Sequence, residues 1–199
     1  VIPVRDFWAD RAGEWGYKAS FDGTWMAWTA VEGTQDVVRI ARTEDMKPVT
    51  AIQDVDTYLW DETRAMLHVV VDDRFWRVDP ENPERDAWAD VTPRGFQNWW
   101  ISNRVTSPDD LWLIASRDRN PAFADLYTVN QDGGDKKLLI ENEGQTLGWL
   151  VNRDLKPVIR IDSVEGGELA YRVREGDIWR DWLQLSINTP FEIYELGAD

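Results

Sequence analysis

Hydrophobic and polar residues alternate in short runs along most of the chain, and these runs occur in pairs that are separated by polar turns. Four segments share this order: KASFDGTWMAW (18–28), TYLWDETRAML (57–67), QNWWISNRVTSPDDLWLIA (97–115) and LGWLVNRDLKPVIRI (147–161). A period of two residues, with many β-branched and aromatic residues, is typical of β-strands. Asp22-Gly23 and Gly133-Gly134 are typical of the turns of hairpins. Each segment is therefore predicted to be a β-hairpin.

Two further apolar stretches follow each predicted hairpin, so every unit contains four predicted strands. The third strands are VVRIA (37–41), FWRVD (75–79), LYTVN (126–130) and AYRVR (170–174). The fourth strands are PVTAI (48–52), WADVT (88–92), KLLIE (137–141) and WLQLS (182–186). A four-stranded unit of this length cannot bury both of its faces alone, so neighbouring units are expected to stack as blades. The predicted fold class is all-β, a β-propeller with about four antiparallel blades.

One aromatic residue recurs in each predicted unit. Phe21, Trp60, Trp100 and Trp149 are separated by 39, 40 and 49 residues. Because they share a position in the repeat, they are predicted to fill the core between neighbouring blades. Other tryptophans do not follow this spacing, and a tryptophan that faces a ligand is expected among Trp8, Trp88, Trp112, Trp179 and Trp182.

The repeat also predicts the organisation of the chain. The expected segments are a lead-in at 1–16, blades at 17–53, 54–93, 94–143 and 144–188, and the first strand of a fifth blade at 189–199. Extending the last spacing places Gly197–Asp199 where the first unit has Ser20–Asp22, so we expect a piece of a longer protein. The one helix predicted is VRDFWADRAG, Val4–Gly13.

Composition narrows the classes of partner. Lys and Arg total 22 against 37 Asp and Glu, which gives a net charge of -15 and a pI of about 4.4. Nucleic acids and anionic membrane surfaces are therefore poor partners. Apolar runs are far shorter than the roughly 20 residues of a membrane-spanning helix, so none is predicted. The absence of cysteine excludes disulfides, thiolate catalysis and Cys-ligated zinc.

Residues that carry catalytic chemistry are sparse in this sequence. His68 is the single histidine and lies in a predicted strand, where a structural role is expected. A serine nucleophile on a strained turn needs a Gly-x-Ser-x-Gly sequence, and no serine of the chain has these neighbours. We therefore predict no catalytic residue, no cofactor and no metal ligand in this chain.

Paired carboxylates occur at Asp54/Asp56, Asp72/Asp73 and Asp109/Asp110. Such pairs are typical of calcium ligands and of glycosidase acids, but the sequence does not give the distances between them. The segment Asn130–Glu141 is similar to a calcium-binding loop, although Gly134 and Asp135 stand in the reverse of the required order. We interpret it as a turn between two strands.

A polar loop is predicted between strands of the third unit. It contains Arg117, Asp118, Arg119 and Asn120, and Pro121 restrains its backbone. Loops on a rigid scaffold often carry recognition, so these four residues are candidates for contact with a substrate or another domain.

Four stretches carry a resemblance to a known family. They are IPVRDFW (2–8), SFDGTWMAW (20–28), RDRNPAFADLYTVNQDGG (117–134) and NEGQTLGWLVNRDLKP (142–157). Together they resemble the N-terminal propeller of prolyl-oligopeptidase-family serine peptidases, which include dipeptidyl and acylaminoacyl peptidases. The resemblance implies a propeller of seven or eight blades that precedes an α/β-hydrolase domain. That domain would carry the catalytic Ser, Asp and His, and the propeller would gate and orient peptide substrates.

The resemblance leaves other functions open. The Asp-Gly turns also fit free-standing TolB-type propellers that act as protein or peptide interaction modules, and a carbohydrate-binding propeller is a third possibility. The paired glutamates with which dipeptidyl-peptidase relatives bind a substrate amine have no counterpart in this sequence. Expected partners are the protein's own hydrolase domain and peptides. The resemblance and the start of the chain at Val1 favour a periplasmic or secreted location, and a cytoplasmic one stays open.

Overall fold

The computed structural model describes residues 13–103, 111–191 and 193. In this part of the chain the backbone forms sixteen strands and one 3₁₀ turn, Arg85–Ala87. The strands make four antiparallel four-stranded sheets, and within each sheet the strand order follows the chain. The prediction of an all-β protein built from four-stranded propeller blades is confirmed.

The first two sheets lie in one compact unit, Val1–Thr92. Sheet 1 consists of β1 (Glu14–Ala19), β2 (Trp25–Glu32), β3 (Gln35–Arg42) and β4 (Pro48–Gln53). Sheet 2 consists of β5 (Val55–Trp60), β6 (Leu67–Val71), β7 (Arg74–Val78) and β8 (Ala89–Asp90).

The other two sheets lie in a second compact unit, Pro93–Asp199. Sheet 3 consists of β9 (Trp99–Asn103), β10 (Trp112–Ser116), β11 (Asp125–Val129) and β12 (Lys137–Ile140). Sheet 4 consists of β13 (Thr146–Val151), β14 (Pro157–Val164), β15 (Glu168–Glu175) and β16 (Ile178–Ser186).

The core of the first unit lies between its two sheets. Trp25, Ile40 and Ile52 of sheet 1 pack in one cluster with residues of sheet 2, among them Trp60 and Leu67. Hydrogen bonds join the sheets as well. The Tyr58 hydroxyl donates to the Gly16 carbonyl (2.5 Å), and the Trp60 indole N–H donates to the Lys18 carbonyl (2.7 Å). Apolar burial thus holds the two sheets together while the polar ends of the aromatic side chains are satisfied.

The second unit has a matching core between its own two sheets. Leu113, Ala115 and Leu126 of sheet 3 pack in one cluster with Trp149 and Val151 of sheet 4. Trp60 and Trp149, two of the four repeated aromatic residues, therefore lie between neighbouring sheets of their units.

The same prediction is wrong for Phe21 and Trp100. Phe21 is 56% exposed because it lies in the turn after β1, and Trp25 supplies the aromatic side chain that sheet 1 buries. Trp100 is 41% exposed on β9, an edge strand of sheet 3. A shift of one position moves a residue to the other face of a strand, and a larger shift can move it beyond the end of the strand, so even spacing did not locate the buried ring.

Both ends of the predicted layout fall largely outside the described residues. Of the predicted helix Val4–Gly13 only Gly13 is described, and of the first strand of a fifth blade expected at 189–199 only residues 189–191 and 193 are. No helix in the described ranges is both long and apolar enough to span a membrane.

Candidate functional site

The loop predicted as a recognition element connects β10 and β11 and is held by its own polar groups. The Asp118 carboxylate accepts hydrogen bonds from the backbone N–H groups of Asn98 (2.7 Å) and Gln97 (3.0 Å). Burial favours the neutral form of Asp118, but these two N–H groups, the Ser116 side chain and the charge of Lys136 together outweigh that effect and keep its pKa below the ordinary value. The Asn120 side chain accepts from the Ala122 N–H (2.9 Å), and the Arg117 guanidinium lies 5.4 Å from the Trp100 ring.

Arg119 of the same loop forms a bidentate ion pair. It donates to both carboxylate oxygens of Asp125, each at 2.7 Å, and to the Asn142 carbonyl at 2.8 Å. Asp125 is fully buried, and burial raises its pKa less than Arg119 and the Asn142 N–H lower it. The bonds to Asp125 raise the pKa of Arg119 in turn. These contacts favour a structural role for Asp118, Arg119 and Asn120.

His68 is a fully buried residue of β6, and its ring stacks on Phe75 with 5.1 Å between the ring centroids. Burial lowers the pKa of His68 to about 3, although the nearby Asp61 carboxylate acts in the opposite direction. The imidazole is therefore neutral at pH 7.

Three connections of the first unit meet at one end of its sheets. They are the turn at 33–34 between β2 and β3, the single residue Asp54 between β4 and β5, and the two-residue turn Asp72-Asp73 between β6 and β7. Between them lies an open cavity of about 620 Å³, which we call the acidic groove. Its lining residues are Gln35, Asp36, Asp54, Val55, Asp56, Asp72 and Asp73.

The five carboxylates of the acidic groove are exposed, and none has an ion-pair or hydrogen-bond partner within the described ranges. Some acidic side chains elsewhere in the unit are paired, as in Arg39–Glu14 (2.8 Å) and Arg74–Asp90 (2.6 Å). Like charges around a concave surface create a negative potential that concentrates cations. No three metal-ligating side chains in the described part of the chain lie close enough together to hold a metal ion.

A second cavity, of about 240 Å³, shares Asp36, Val55 and Asp56 with the acidic groove. We call it the aromatic pocket, because Trp15 and Tyr58 line it together with Lys18, Thr29, Val37, Val38 and Thr57. Lys18 Nζ lies 4.1 Å from the Tyr58 ring centroid and donates to the Tyr58 carbonyl (2.8 Å). Burial raises the pKa of Tyr58, so its hydroxyl is neutral at pH 7. The indole of Trp15 is 47% exposed.

The sequence singled out the pairs Asp54/Asp56 and Asp72/Asp73, and the structure brings both to one groove. It also adds Asp36 and Trp15, which sequence reasoning missed. The signal that sequence reasoning missed is topological, because the turn between strands two and three and the connection to the next blade lie at the same end of a sheet.

Two other acidic candidates were singled out by the sequence. Asp109/Asp110 lie outside the described residues. The segment from Asn130 forms the turn between β11 and β12, and the Asn130 side chain accepts from the Gly134 N–H (2.8 Å).

The tryptophans proposed as ligand-facing are divided by the structure. Trp182 is 49% exposed, whereas Trp112 is buried and Trp179 packs against the core of the second unit. Trp88 donates its indole N–H to the Pro83 carbonyl (2.9 Å), and the Arg85 guanidinium lies 4.1 Å from its ring. Trp8 lies outside the described residues.

Comparisons with known proteins identify the class of fold. No protein-family model and no curated protein matches the sequence. TolB from Acinetobacter baumannii matches with a TM-score of 0.54 and 10% identity, over 84% of this chain and 43% of its own. A prolyl endopeptidase structure matches with a TM-score of 0.53 and 14% identity, over 87% of this chain and 27% of its own. An acylaminoacyl peptidase from Pyrococcus horikoshii matches with a TM-score of 0.52 and 13% identity, over 85% of this chain and 32% of its own.

These similarities place the chain among β-propellers. The expected likeness to the propeller regions of prolyl-oligopeptidase-family peptidases is confirmed at the level of the fold. At 10–14% identity the similarity concerns the fold alone. The chain spans less than half the length of each of these three structures.

Proposed function

We propose that this chain is the propeller portion of a periplasmic or secreted serine peptidase that resembles the prolyl oligopeptidase family. In this role it gates and orients peptides for a hydrolase domain carried elsewhere in the protein, and it breaks no bonds itself. The observation that carries the proposal is the fold shared with two peptidases over 85–87% of the chain, which corresponds to only 27–32% of their length. The acidic groove offers an open surface on which an extended peptide could lie.

A TolB-like interaction module is the second candidate. Its support is the TolB match, whose TM-score of 0.54 is as high as those of the peptidases. Such a module would bind a protein or peptide partner without any hydrolase domain.

The coding sequence after Asp199 distinguishes the two candidates. Continuation through further blades into a Gly-x-Ser-x-Gly segment, followed by Asp and His, is the result expected for a peptidase. A stop codon directly after Asp199 would contradict the peptidase proposal and favour the module.

The non-catalytic role is tested on the chain itself. Incubated with chromogenic peptides and a serine-directed phosphonate, the chain is expected to show neither turnover nor covalent labelling. Stoichiometric labelling would contradict the proposal.

Gating is tested on the full gene product, which should cleave short peptides far faster than an unfolded protein that contains the same cleavage sequence. Equal rates on both substrates would contradict a gating propeller.

A further inference from the structure

We propose that the aromatic pocket and the acidic groove of the first unit together bind a basic side chain, lysine or arginine, of an extended peptide. The inference names a substrate class for the peptide-handling role proposed above and rests on it. Both cavities lie within one compact unit, and they share Asp36, Val55 and Asp56, so one ligand can contact both.

The aromatic pocket supplies the apolar part of the site. A lysine or arginine side chain has a long aliphatic stem, which gains from contact with an apolar surface while the charged end stays near water. Trp15 presents a half-exposed indole at the wall of the pocket, and an indole face also attracts a cation. Trp15 is therefore the ring available to an incoming side chain.

The pocket already holds one ammonium group of the protein. Lys18 Nζ lies over the Tyr58 ring at 4.1 Å and donates to the Tyr58 carbonyl at 2.8 Å. The Tyr58 end of the pocket thus accommodates a cation through ring and carbonyl contacts. Because Lys18 covers Tyr58, a ligand would enter on the side of Trp15 and Asp56.

Charge complementarity selects a basic occupant. Around the cavity of about 620 Å³ stand five carboxylates without an ion-pair partner among the described residues. An acidic or neutral peptide would leave these charges uncompensated, and an acidic one would be repelled. Among the described residues that line the two cavities, Lys18 alone does not balance five carboxylates, so the surface remains complementary to added positive charge.

The backbone of the groove allows a clean test. Asp72 and Asp73 have φ values of 54° and 59°, in the left-handed region that asparagine adopts at least as readily as aspartate. The double variant Asp72→Asn/Asp73→Asn removes two charges and is expected to keep the turn. Glu44→Gln/Glu84→Gln is the matched control, because it removes two exposed charges from the third-to-fourth-strand connections at the opposite end of the sheets.

The probe is the peptide acetyl-Gly-Gly-Lys-Gly-Gly-amide, compared with the same peptide carrying Nε-acetyllysine, in calorimetric titrations of the whole chain. We expect the lysine peptide to bind more tightly, with a difference that shrinks as salt is added. Asp72→Asn/Asp73→Asn should weaken its binding roughly threefold to tenfold, since each exposed charge contact contributes up to about fivefold. Trp15→Ala should also weaken binding, and the control variant should bind like the unchanged chain.

Three results would overturn the proposal. They are equal binding of the acetyllysine peptide, an equal loss in the control variant, and binding of spermine without binding of the lysine peptide. Failure of this binding test can be distinguished from failure of the proposed function. A full gene product that is a peptidase but whose groove ignores basic peptides contradicts the groove assignment alone. A coding sequence without a hydrolase contradicts the proposed function alone.

Discussion

Two groups of acidic residues in this protein have opposite environments. Asp61, Asp125 and Asp162 are at most 3% exposed, and each is bound by arginine and by N–H or hydroxyl donors. Such compensation is required, because an unpaired buried carboxylate is strongly unfavourable. The carboxylates of the acidic groove remain in water and need no partner for stability. Their concentration at one end of the first unit is therefore available for binding.

His68 makes stability depend on pH. Its pKa is about 3 in the folded protein against 6.5 as an ordinary histidine, so between these values the unfolded chain binds a proton that the folded chain does not. The stability that the neutral His68 contributes is therefore fully present above pH 6.5. As the pH falls below this value, the free energy of unfolding decreases by up to about 1.4 kcal/mol per pH unit. We expect urea unfolding to show this extra slope between pH 7 and pH 5.

The variant His68→Gln tests the assignment, since glutamine does not titrate in this range. The variant is expected to be less stable at pH 7 but to lose less free energy of unfolding between pH 7 and pH 5. Asp61 has a lowered pKa and titrates below this window, because burial raises its pKa less than the bonds to Thr63 and the charge of Arg64 together lower it. Identical slopes for the two proteins would contradict the role of His68.

At the scale of strands and loops, polar side chains hold the connections between strands. In the second unit, Arg119 from the β10–β11 loop reaches Asp125 at the start of β11 and the carbonyl of Asn142 after β12. The Asn142 side chain continues this network to the carbonyls of Ala124 and Thr146. One arginine thus links the β10–β11 loop, the start of β11 and the segment after β12.

Replacing this arginine should be costly. Arg119→Met leaves the Asp125 carboxylate buried without its guanidinium, and we expect a clear loss in the free energy of unfolding, larger than that of an exposed control substitution. Arg153→Met, at an exposed position of the β13–β14 turn, is the control and should change stability by less than about 0.5 kcal/mol. Adding Asp125→Asn to Arg119→Met removes the uncompensated charge and should recover part of the loss. Equal stability of the two single variants in urea titrations would refute this role.

At the scale of the whole molecule, the net charge of -15 opposes the compact state through self-repulsion. Added salt screens this repulsion, so the melting temperature at pH 7.5 is expected to rise by several degrees between low salt and 0.5 M NaCl. The control is the same comparison near the pI of about 4.4, where the net charge is close to zero and the rise should disappear. A melting temperature that falls with salt at pH 7.5 would show that attractive ion pairs dominate instead.

The amino-acid pattern alone was sufficient for the class of fold. Alternation with a period of two and turn residues are local properties, so the strands around Val38, Trp76, Tyr127 and Tyr171 were predictable from the residues themselves. The antiparallel order followed because short connections pair neighbouring strands.

The tertiary structure decided which side chains are buried and which distant residues come together in one site. Phe21 and Trp60 look alike in the repeat, yet one lies in a turn and the other between two sheets, because a small displacement along the chain moves a side chain to the other face of a strand or beyond the end of the strand. Likewise, Asp36, Asp54 and Asp72 are far apart along the chain and became one groove only when two sheets packed with their turns at the same end. Strand formation depends on neighbouring residues, whereas a site depends on distances that only packing sets.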